Sequence, residues 1–100
     1  MAFVKVAEAE SVSAGTGTTV TVSGRDYALF HVDGEFFCID NECPHRDGPL
    51  GDGELEDDTV ICPWHAWQVN VKTGQVLYTS NLCVATHACK VEEGSVYIDL

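Results

Sequence analysis

The chain has 100 residues, of which 45% are hydrophobic and 21% charged, so we expect one domain, too small to be a self-contained enzyme with separate nucleotide and substrate domains. Sixteen acidic residues against five basic ones give a formal net charge of −11. Because such a surface repels nucleic acid phosphates and anionic lipid headgroups, we expect neither nucleic acid nor a membrane among its partners.

Short segments rich in β-branched and aromatic residues, separated by Gly, Asp and Pro, run through the chain and predict β-strands. The predicted strands are Phe3–Ala7, Thr18–Val22, Tyr27–Val32, Glu35–Asp40, Glu54–Glu56, Thr59–Cys62, Trp67–Val71, Gln75–Tyr78, Ala85–Val91 and Ser95–Leu100. Asp33-Gly34 is typical of a type I′ hairpin turn, and Asp57-Asp58 is expected to join a second hairpin. We therefore expect an all-β fold, an antiparallel sandwich or small barrel formed by residues 1–40 and 67–100, with a lobe inserted at residues 41–66.

Two short motifs flank the second predicted hairpin and carry residues that can bind metal. The first is Cys43-Pro44-His45 and the second is Cys62-Pro63-Trp64-His65. Both lie where a strand is expected to give way to a loop, and in each a proline after the cysteine stiffens the turn. Because side chains from separate loops can converge on one metal centre, the candidate ligands are Cys43, His45, Cys62 and His65.

Two cysteines and two histidines suit either a tetrahedral zinc ion or a [2Fe–2S] cluster in which two histidines replace two cysteines on one iron. Structural zinc sites usually pair ligands about two to four residues apart, and Cys43 and His45 are closer than that. A two-iron cluster relieves the strain, because the cysteine and histidine of one loop can bind different irons. The spacing favours the cluster, and a zinc-stabilised interaction module without redox activity is the alternative.

In their sequence context the two motifs resemble the cluster-binding loops of Rieske-type ferredoxins. The segments that carry the resemblance are Cys43-Pro44-His45-Arg46-Asp47-Gly48-Pro49-Leu50 and Cys62-Pro63-Trp64-His65-Ala66-Trp67. The similarity covers nearly the whole chain and points to ferredoxin components of bacterial ring-hydroxylating oxygenases and to small subunits of NAD(P)H nitrite reductases. It implies a Rieske-type fold and one [2Fe–2S] cluster, with Cys43 and Cys62 on the inner iron and His45 and His65 on the outer iron.

The resemblance also implies a function. The chain would be a one-electron carrier, without catalysis of its own, that passes electrons from an NAD(P)H-dependent flavin reductase to a terminal ring-hydroxylating oxygenase. The alternative within redox chemistry is the small subunit of an assimilatory NAD(P)H nitrite reductase, bound to the large subunit.

The same family comparison bears on the redox potential. High-potential members carry an extra cysteine in each loop and hydroxyl groups that donate to the cluster sulfurs, whereas the corresponding positions here are Gly48, Trp64, Trp67 and Val69. Hydrogen bonds to cluster sulfur raise the potential, because they stabilise the added electron. We therefore expect a potential at the low end of the Rieske range, on the order of −150 mV.

The remaining cysteines, Cys38, Cys83 and Cys89, are expected to be core thiols rather than ligands or a disulfide. His31 and His87 lie inside predicted strands and are expected to be ordinary strand histidines. The N-terminal segment lacks the pattern of an export signal, so we expect a cytoplasmic protein, monomeric when free.

An acidic segment lies between the two ligand motifs. Its carboxylates are Asp52, Glu54, Glu56, Asp57 and Asp58. Two compatible interpretations follow: a solvated hairpin that blunts an exposed sheet edge, or a patch that steers a basic partner towards the metal centre.

Overall fold

The computed structural model describes residues 3–41, 50–62, 68–77 and 84–99 of the chain. Within these ranges all regular structure is β-strand apart from two single-turn 3₁₀ helices, Ala9–Ser11 and Leu50–Asp52. The strands are β1 (Phe3–Glu8), β2 (Gly17–Val22), β3 (Arg25–Val32), β4 (Glu35–Asp40), β5 (Glu54–Glu56), β6 (Thr59–Ile61), β7 (Gln68–Asn70), β8 (Thr86–His87), β9 (Cys89–Glu92) and β10 (Ser95–Asp99). The predicted all-β fold is confirmed, and no helix in the described part of the chain is long and apolar enough to cross a membrane.

The strands form three antiparallel sheets. The central sheet has the order β2-β3-β4-β8, the outer sheet β1-β10-β9, and the lobe sheet β5-β6-β7. The chain passes from the central sheet to the outer sheet between β8 and β9, because β8 pairs with β4 and β9 pairs with β10. The lobe sheet is formed by the segments on either side of the second ligand motif.

Four two-residue turns set the hairpin registers in the described part of the chain. Asp33 and Gly34 both have positive φ, 50° and 83°, as a type I′ turn requires, so this predicted turn is confirmed. Ser23-Gly24 and Glu93-Gly94 have the same pattern, with φ of 51° and 81° and of 52° and 78°. In the lobe, Glu56 pairs with Thr59 across Asp57-Asp58, which confirms the second predicted hairpin.

The central sheet is covered on both faces, and β3 shows this most clearly. Ala28, Phe30 and Val32 pack into a core shared with the lobe, whereas Tyr27 and Leu29 pack into a core shared with the outer sheet. A strand buried on both faces carries a continuous apolar run instead of an apolar and polar alternation. The lobe core consists of Ala28, Phe30, Val32, Ile39, Leu50, Val60, Cys62, Val69, Val71, Val76 and Val84, and the outer core of Val12, Val20, Tyr27, Leu29, Cys38, Val96 and Ile98.

Two predicted strands differ in the structure. The predicted strand Ala85–Val91 is two strands, because the chain leaves the central sheet at Ala88, whose carbonyl accepts a hydrogen bond from Asp99 N–H at 2.9 Å in the outer sheet. The described part of predicted strand Gln75–Tyr78 hydrogen-bonds to β7 but contributes only an isolated bridge, between Val76 and Val69. The tight turn at Gly74, with φ of 78°, precedes that bridge.

Candidate metal centre

The structure describes the flanks of both ligand motifs and one of the four candidate ligands. Cys62 directly follows β6 and is 1% exposed. Cys43, His45 and His65 lie outside the described residues. Among the residues that are described, no three His, Cys, Asp or Glu side chains come together in a way that could hold a metal ion. The described parts of the site are the bases of the two loops that carry the ligand motifs.

The first loop is closed at its base by Asn41. Leu50 N–H donates to the Asn41 carbonyl at 2.8 Å, and Gly51 N–H donates to Asn41 Oδ1 at 2.7 Å. Thr19 Oγ1 donates to the same Oδ1 at 3.4 Å. Asn41 is 6% exposed, so its amide oxygen is a buried acceptor that these donors satisfy. The segment that contains the first ligand motif therefore begins and ends at residues that are hydrogen-bonded to each other, Asn41 and Leu50.

Close packing at this point requires glycine at position 51. A Cβ atom there would collide with Thr19 Oγ1 and would lie 2.9 Å from Asn41 Oδ1. Any larger residue would push apart the two groups that close the loop. Asn41 and Gly51 were not among the residues singled out from the sequence, because their role depends on a contact across the loop.

The second loop is closed by sheet pairing. Ile61 of β6 and Gln68 of β7 are register partners, so the segment between them begins and ends at adjacent positions. Gln68 also accepts a hydrogen bond from Leu77 N–H at 3.0 Å through its carbonyl. Cys62 therefore follows the last paired residue of β6 and is the first residue of the segment that contains His65.

The two loop bases meet in the lobe core. Leu50, at the end of the first loop, is fully buried and belongs to the same apolar cluster as Cys62, at the start of the second. Val60 and Val69, on the strands that frame the second loop, are fully buried in the same cluster. Both loop bases therefore contribute to one buried core.

The chemistry of Cys62 fits a metal-bound thiolate. Its thiol is buried among the apolar side chains of the lobe core. The thiolate of cysteine is the form that binds a metal. Two such sulfurs with two imidazoles form the donor set of a [2Fe–2S] cluster that has cysteines on one iron and histidines on the other.

The other described cysteines and histidines are engaged away from this end. Cys38 is 1% exposed in the outer core, which confirms its predicted core position. The half-buried Cys89 packs against the same core. A ring nitrogen of His31, Nδ1, lies 2.8 Å from the carbonyl oxygen of Val12, and His87 Nε2 lies 2.9 Å from Asp40 Oδ1. Cys83 lies outside the described residues.

The acidic segment is divided by the lobe hairpin. Leu55 of β5 points into the lobe core, whereas Glu54 and Glu56 alternate with it and are exposed. Asp58 is engaged within the hairpin, where Thr59 Oγ1 and Asn70 Nδ2 each donate to its carboxylate at 3.4 Å. The exposed carboxylates, which we call the acidic face, are Asp52, Glu54, Glu56 and Asp57.

Comparison with known proteins identifies the family. The model of the Rieske [2Fe-2S] domain matches residues 2–94. The ferredoxin component of the naphthalene 1,2-dioxygenase system of Pseudomonas putida is 39% identical over 84 residues, which cover 81% of this chain and 79% of the relative. These matches span most of both chains, so the likeness concerns the whole domain.

Solved structures show the same fold. A chain from the complex of reduced oxygenase and oxidized ferredoxin in carbazole 1,9a-dioxygenase superposes with a TM-score of 0.88 at 28% identity, covering 96% of this chain and 91% of that one. A putative NADPH nitrite reductase small subunit superposes with a TM-score of 0.87, covering 100% of both chains, and at 22% identity it shows a shared fold alone. The chain therefore belongs to the Rieske [2Fe-2S] family, with a [2Fe–2S] cluster rather than zinc as its cofactor and electron transfer as its role.

Proposed function

We propose that Cys43, His45, Cys62 and His65 hold the [2Fe–2S] cluster, the cysteines on one iron and the histidines on the other. Support comes from the lobe core, to which both Leu50 at the end of the first loop and Cys62 at the start of the second belong. We further propose that residues 1–100 form a single domain in which residues 41–66 are the cluster-binding lobe, inserted between residues 1–40 and 67–100, with β7 of the second segment completing the lobe sheet.

We propose that the chain carries single electrons from an NAD(P)H-dependent flavin reductase to a terminal ring-hydroxylating oxygenase. When bound, the cluster supplies a centre that accepts and releases one electron. The observation that carries the proposal is the pair of Cys-x-His and Cys-x-x-His motifs in a chain that is 39% identical to the ferredoxin component of a naphthalene 1,2-dioxygenase system. A structural neighbour comes from a complex of oxygenase and ferredoxin, which supports the oxygenase as a partner.

The chain's own residues provide the surroundings that such a carrier needs. Asn41 and Gly51 hold the first loop, and the pairing of β6 with β7 holds the second. Leu50, Val60 and Val69 exclude water from the inner side of the loops, because each is fully buried. Rigid, water-excluding surroundings reduce the rearrangement that accompanies a change of charge.

We propose a low potential, on the order of −150 mV. Val69 stands at one of the positions where high-potential members of the family have a hydroxyl donor, and its side chain is buried in the lobe core. An apolar side chain at this position offers no hydrogen bond to sulfur. We also propose a cytoplasmic location and a monomeric free state, in which the chain docks briefly with each partner through a small polar interface.

The nitrite reductase alternative has weaker support than the oxygenase system. Its solved neighbour shares 22% of its sequence with this chain, whereas the naphthalene dioxygenase ferredoxin component shares 39%. The likeness to the naphthalene dioxygenase component therefore includes the sequence, whereas the likeness to the nitrite reductase subunit concerns the fold alone. The oxygenase system is therefore the function proposed here.

The test is reconstitution of electron transfer. The holo chain is mixed with NADH, a flavin reductase and a terminal oxygenase of a ring-hydroxylating system, and the hydroxylated product is measured against the concentration of the chain. We expect product formation to require the chain and to saturate with it. Electron transfer from the chain to a nitrite reductase large subunit, with no hydroxylated product when the oxygenase is supplied, would instead establish the alternative.

A pair of cysteine variants controls this assay. Cys62→Ala removes a proposed ligand, and Cys38→Ala removes an equally buried cysteine from the outer core. We expect product formation to be lost with Cys62→Ala and retained with Cys38→Ala at equal chain concentration. Equal loss in both variants would mean that Cys62 acts only through packing.

A further inference from the structure

Two thiols outside the ligand motifs lie next to each other where the central and outer sheets meet. Cys38 lies in β4 and is 1% exposed, and Cys89 begins β9 and is half-buried. Cys38 belongs to the outer core, and Cys89 packs against it. Cys38 pairs across the sheet with His87, two residues before Cys89, and both cysteines line one pocket. The pair is not a lone cysteine, and nothing in electron transfer uses it.

The contact makes the two thiols chemically unequal. The hydrogen bond between them, and then burial, raises the pKa of Cys38, so Cys38 keeps its proton and donates it. The same hydrogen bond lowers the pKa of Cys89 against the opposing effect of burial. When protonated, Cys89 has its own acceptor, the His87 carbonyl at 3.7 Å. The thiolate of the pair is therefore carried by the more exposed sulfur.

An open pocket leads to this sulfur. Its volume is about 590 Å³, and Cys38 and Cys89 both contribute to its wall. Lys72, Lys90 and Glu35 line the same pocket, and Lys90 pairs with Glu92 at 2.9 Å. A partly exposed thiol on an open pocket is accessible to a small oxidant.

We propose that Cys38 and Cys89 form a peroxide-reactive thiol pair, in which Cys89 is oxidised first and Cys38 then closes a disulfide between β4 and β9. The proposal does not depend on the cluster or on the partners of the chain. Thiol oxidation at β4, β8 and β9 would be separate from the proposed electron transfer. The oxidant is hydrogen peroxide.

The reaction proceeds in two balanced steps. The Cys89 thiolate attacks one oxygen of hydrogen peroxide, a sulfur–oxygen bond forms as the oxygen–oxygen bond breaks, and hydroxide leaves and is protonated to water. The Cys38 sulfur then attacks the Cys89 sulfenic acid, a sulfur–sulfur bond forms as the sulfur–oxygen bond breaks, and the leaving hydroxide takes the Cys38 proton as water. Two thiols are oxidised by two electrons in total, and one peroxide is reduced to two waters.

The test uses the full chain with its cluster bound. The protein is treated with one equivalent of hydrogen peroxide, quenched with catalase, alkylated under denaturing conditions and analysed by intact mass and tandem mass spectrometry of its peptides. We expect a product that carries two alkyl groups fewer than the untreated, alkylated chain, with Cys38 linked to Cys89. Cys83→Ser should leave this product unchanged, and Cys89→Ser should abolish it without an oxidised Cys38.

Two substitutions of Cys38 separate its two roles. In Cys38→Ser a hydroxyl still donates to Cys89, so alkylation of Cys89 at neutral pH should keep its rate, while the disulfide is lost and a dimedone-reactive sulfenic acid accumulates at Cys89. In Cys38→Ala the donor is gone, and alkylation of Cys89 should slow by about three- to tenfold, with its pH midpoint moved upward.

Either of two results would overturn the proposal. One is a peroxide product that lacks the link between Cys38 and Cys89 in the wild-type chain. The other is an alkylation rate of Cys89 that is the same in Cys38→Ala and Cys38→Ser when both retain the iron content of the wild type. The iron measurement excludes a variant that has simply failed to fold.

Discussion

The central and outer sheets, which together we call the base, contain strands of up to eight residues, whereas every strand of the lobe sheet has three. The base packs two sheets face to face around Leu29, Val96 and Ile98. The lobe sheet frames the second loop, and the apolar cluster that contains Leu50 and Cys62 packs it against the central sheet. Short strands give little stability alone, so the lobe should depend on the cluster far more than the base does.

Removal of the iron should produce the largest difference in stability between the lobe and the base. Metal binding contributes directly to the folding free energy of the segments that supply its ligands. We expect amide protection of Val60 and Val69 in the lobe sheet to fall by about a hundredfold or more in the apo chain, while Leu29 in the base changes by less than about threefold. Hydrogen exchange of the holo and apo chains measures both. Equal losses in both regions would show that the domain unfolds as one unit.

Two fully buried leucines offer a matched pair, Leu50 in the lobe core and Leu29 in the outer core. Replacement of either by alanine should lower the free energy of unfolding by about 2–5 kcal/mol, because each leaves a cavity. Only Leu50→Ala should also release iron to a chelator faster, by about tenfold, since Leu50 ends the first ligand loop. The bleaching rate of the visible absorption measures this release, and similar rates in the two variants would contradict the distinction.

The buried polar residues give a smaller contrast. Asn41→Leu would leave Gly51 N–H without its acceptor at the base of the loop, at a cost of about 1–3 kcal/mol. Ser95→Ala removes a single 3.4 Å hydrogen bond to Glu8 from the base, at a cost of about 0.5–1.5 kcal/mol. We expect faster iron release and an altered electron paramagnetic resonance spectrum for Asn41→Leu alone. An unchanged spectrum with wild-type iron release would exclude Asn41 as a positioning residue.

The smallest expected effect concerns charge on the two surfaces. Glu56 lies on the acidic face of the lobe, and Glu10 is an exposed carboxylate of the base. If the acidic face steers a basic partner, Glu56→Lys should slow reduction by the reductase about two- to tenfold at low salt, and Glu10→Lys should change it less. Stopped-flow rates at several salt concentrations measure this. Equal rates for the two variants would leave the acidic face as a solvated hairpin.

Local signals account for the parts of the fold that were predicted correctly. The turn Asp33-Gly34 sets its hairpin through its own backbone preferences, and the same holds for Glu93-Gly94. The change of sheet at Ala88 was missed, because it depends on which strands lie beside the segment rather than on its residues. For the same reason the sequence did not show that β3 is covered by a separate core on each face.

The candidate site divides in a similar way. Both ligand motifs are continuous in sequence, so Cys43, His45, Cys62 and His65 could be proposed from spacing and resemblance alone. The closure of the first loop by Asn41 and the contact of Cys38 with Cys89 join residues that are distant in sequence. Such pairs leave no spacing pattern, and only a folded structure reveals them.

The central claim is that Cys62 binds a Rieske cluster in the lobe, whereas the equally buried Cys38 does not. Iron, zinc and acid-labile sulfide in the purified wild-type chain and in Cys62→Ala and Cys38→Ala test it most directly. We predict two irons and two sulfides per chain in the wild type and in Cys38→Ala, and neither in Cys62→Ala. A colourless wild-type chain that contains zinc and no sulfide, or a Cys62→Ala variant with a full cluster, would contradict it.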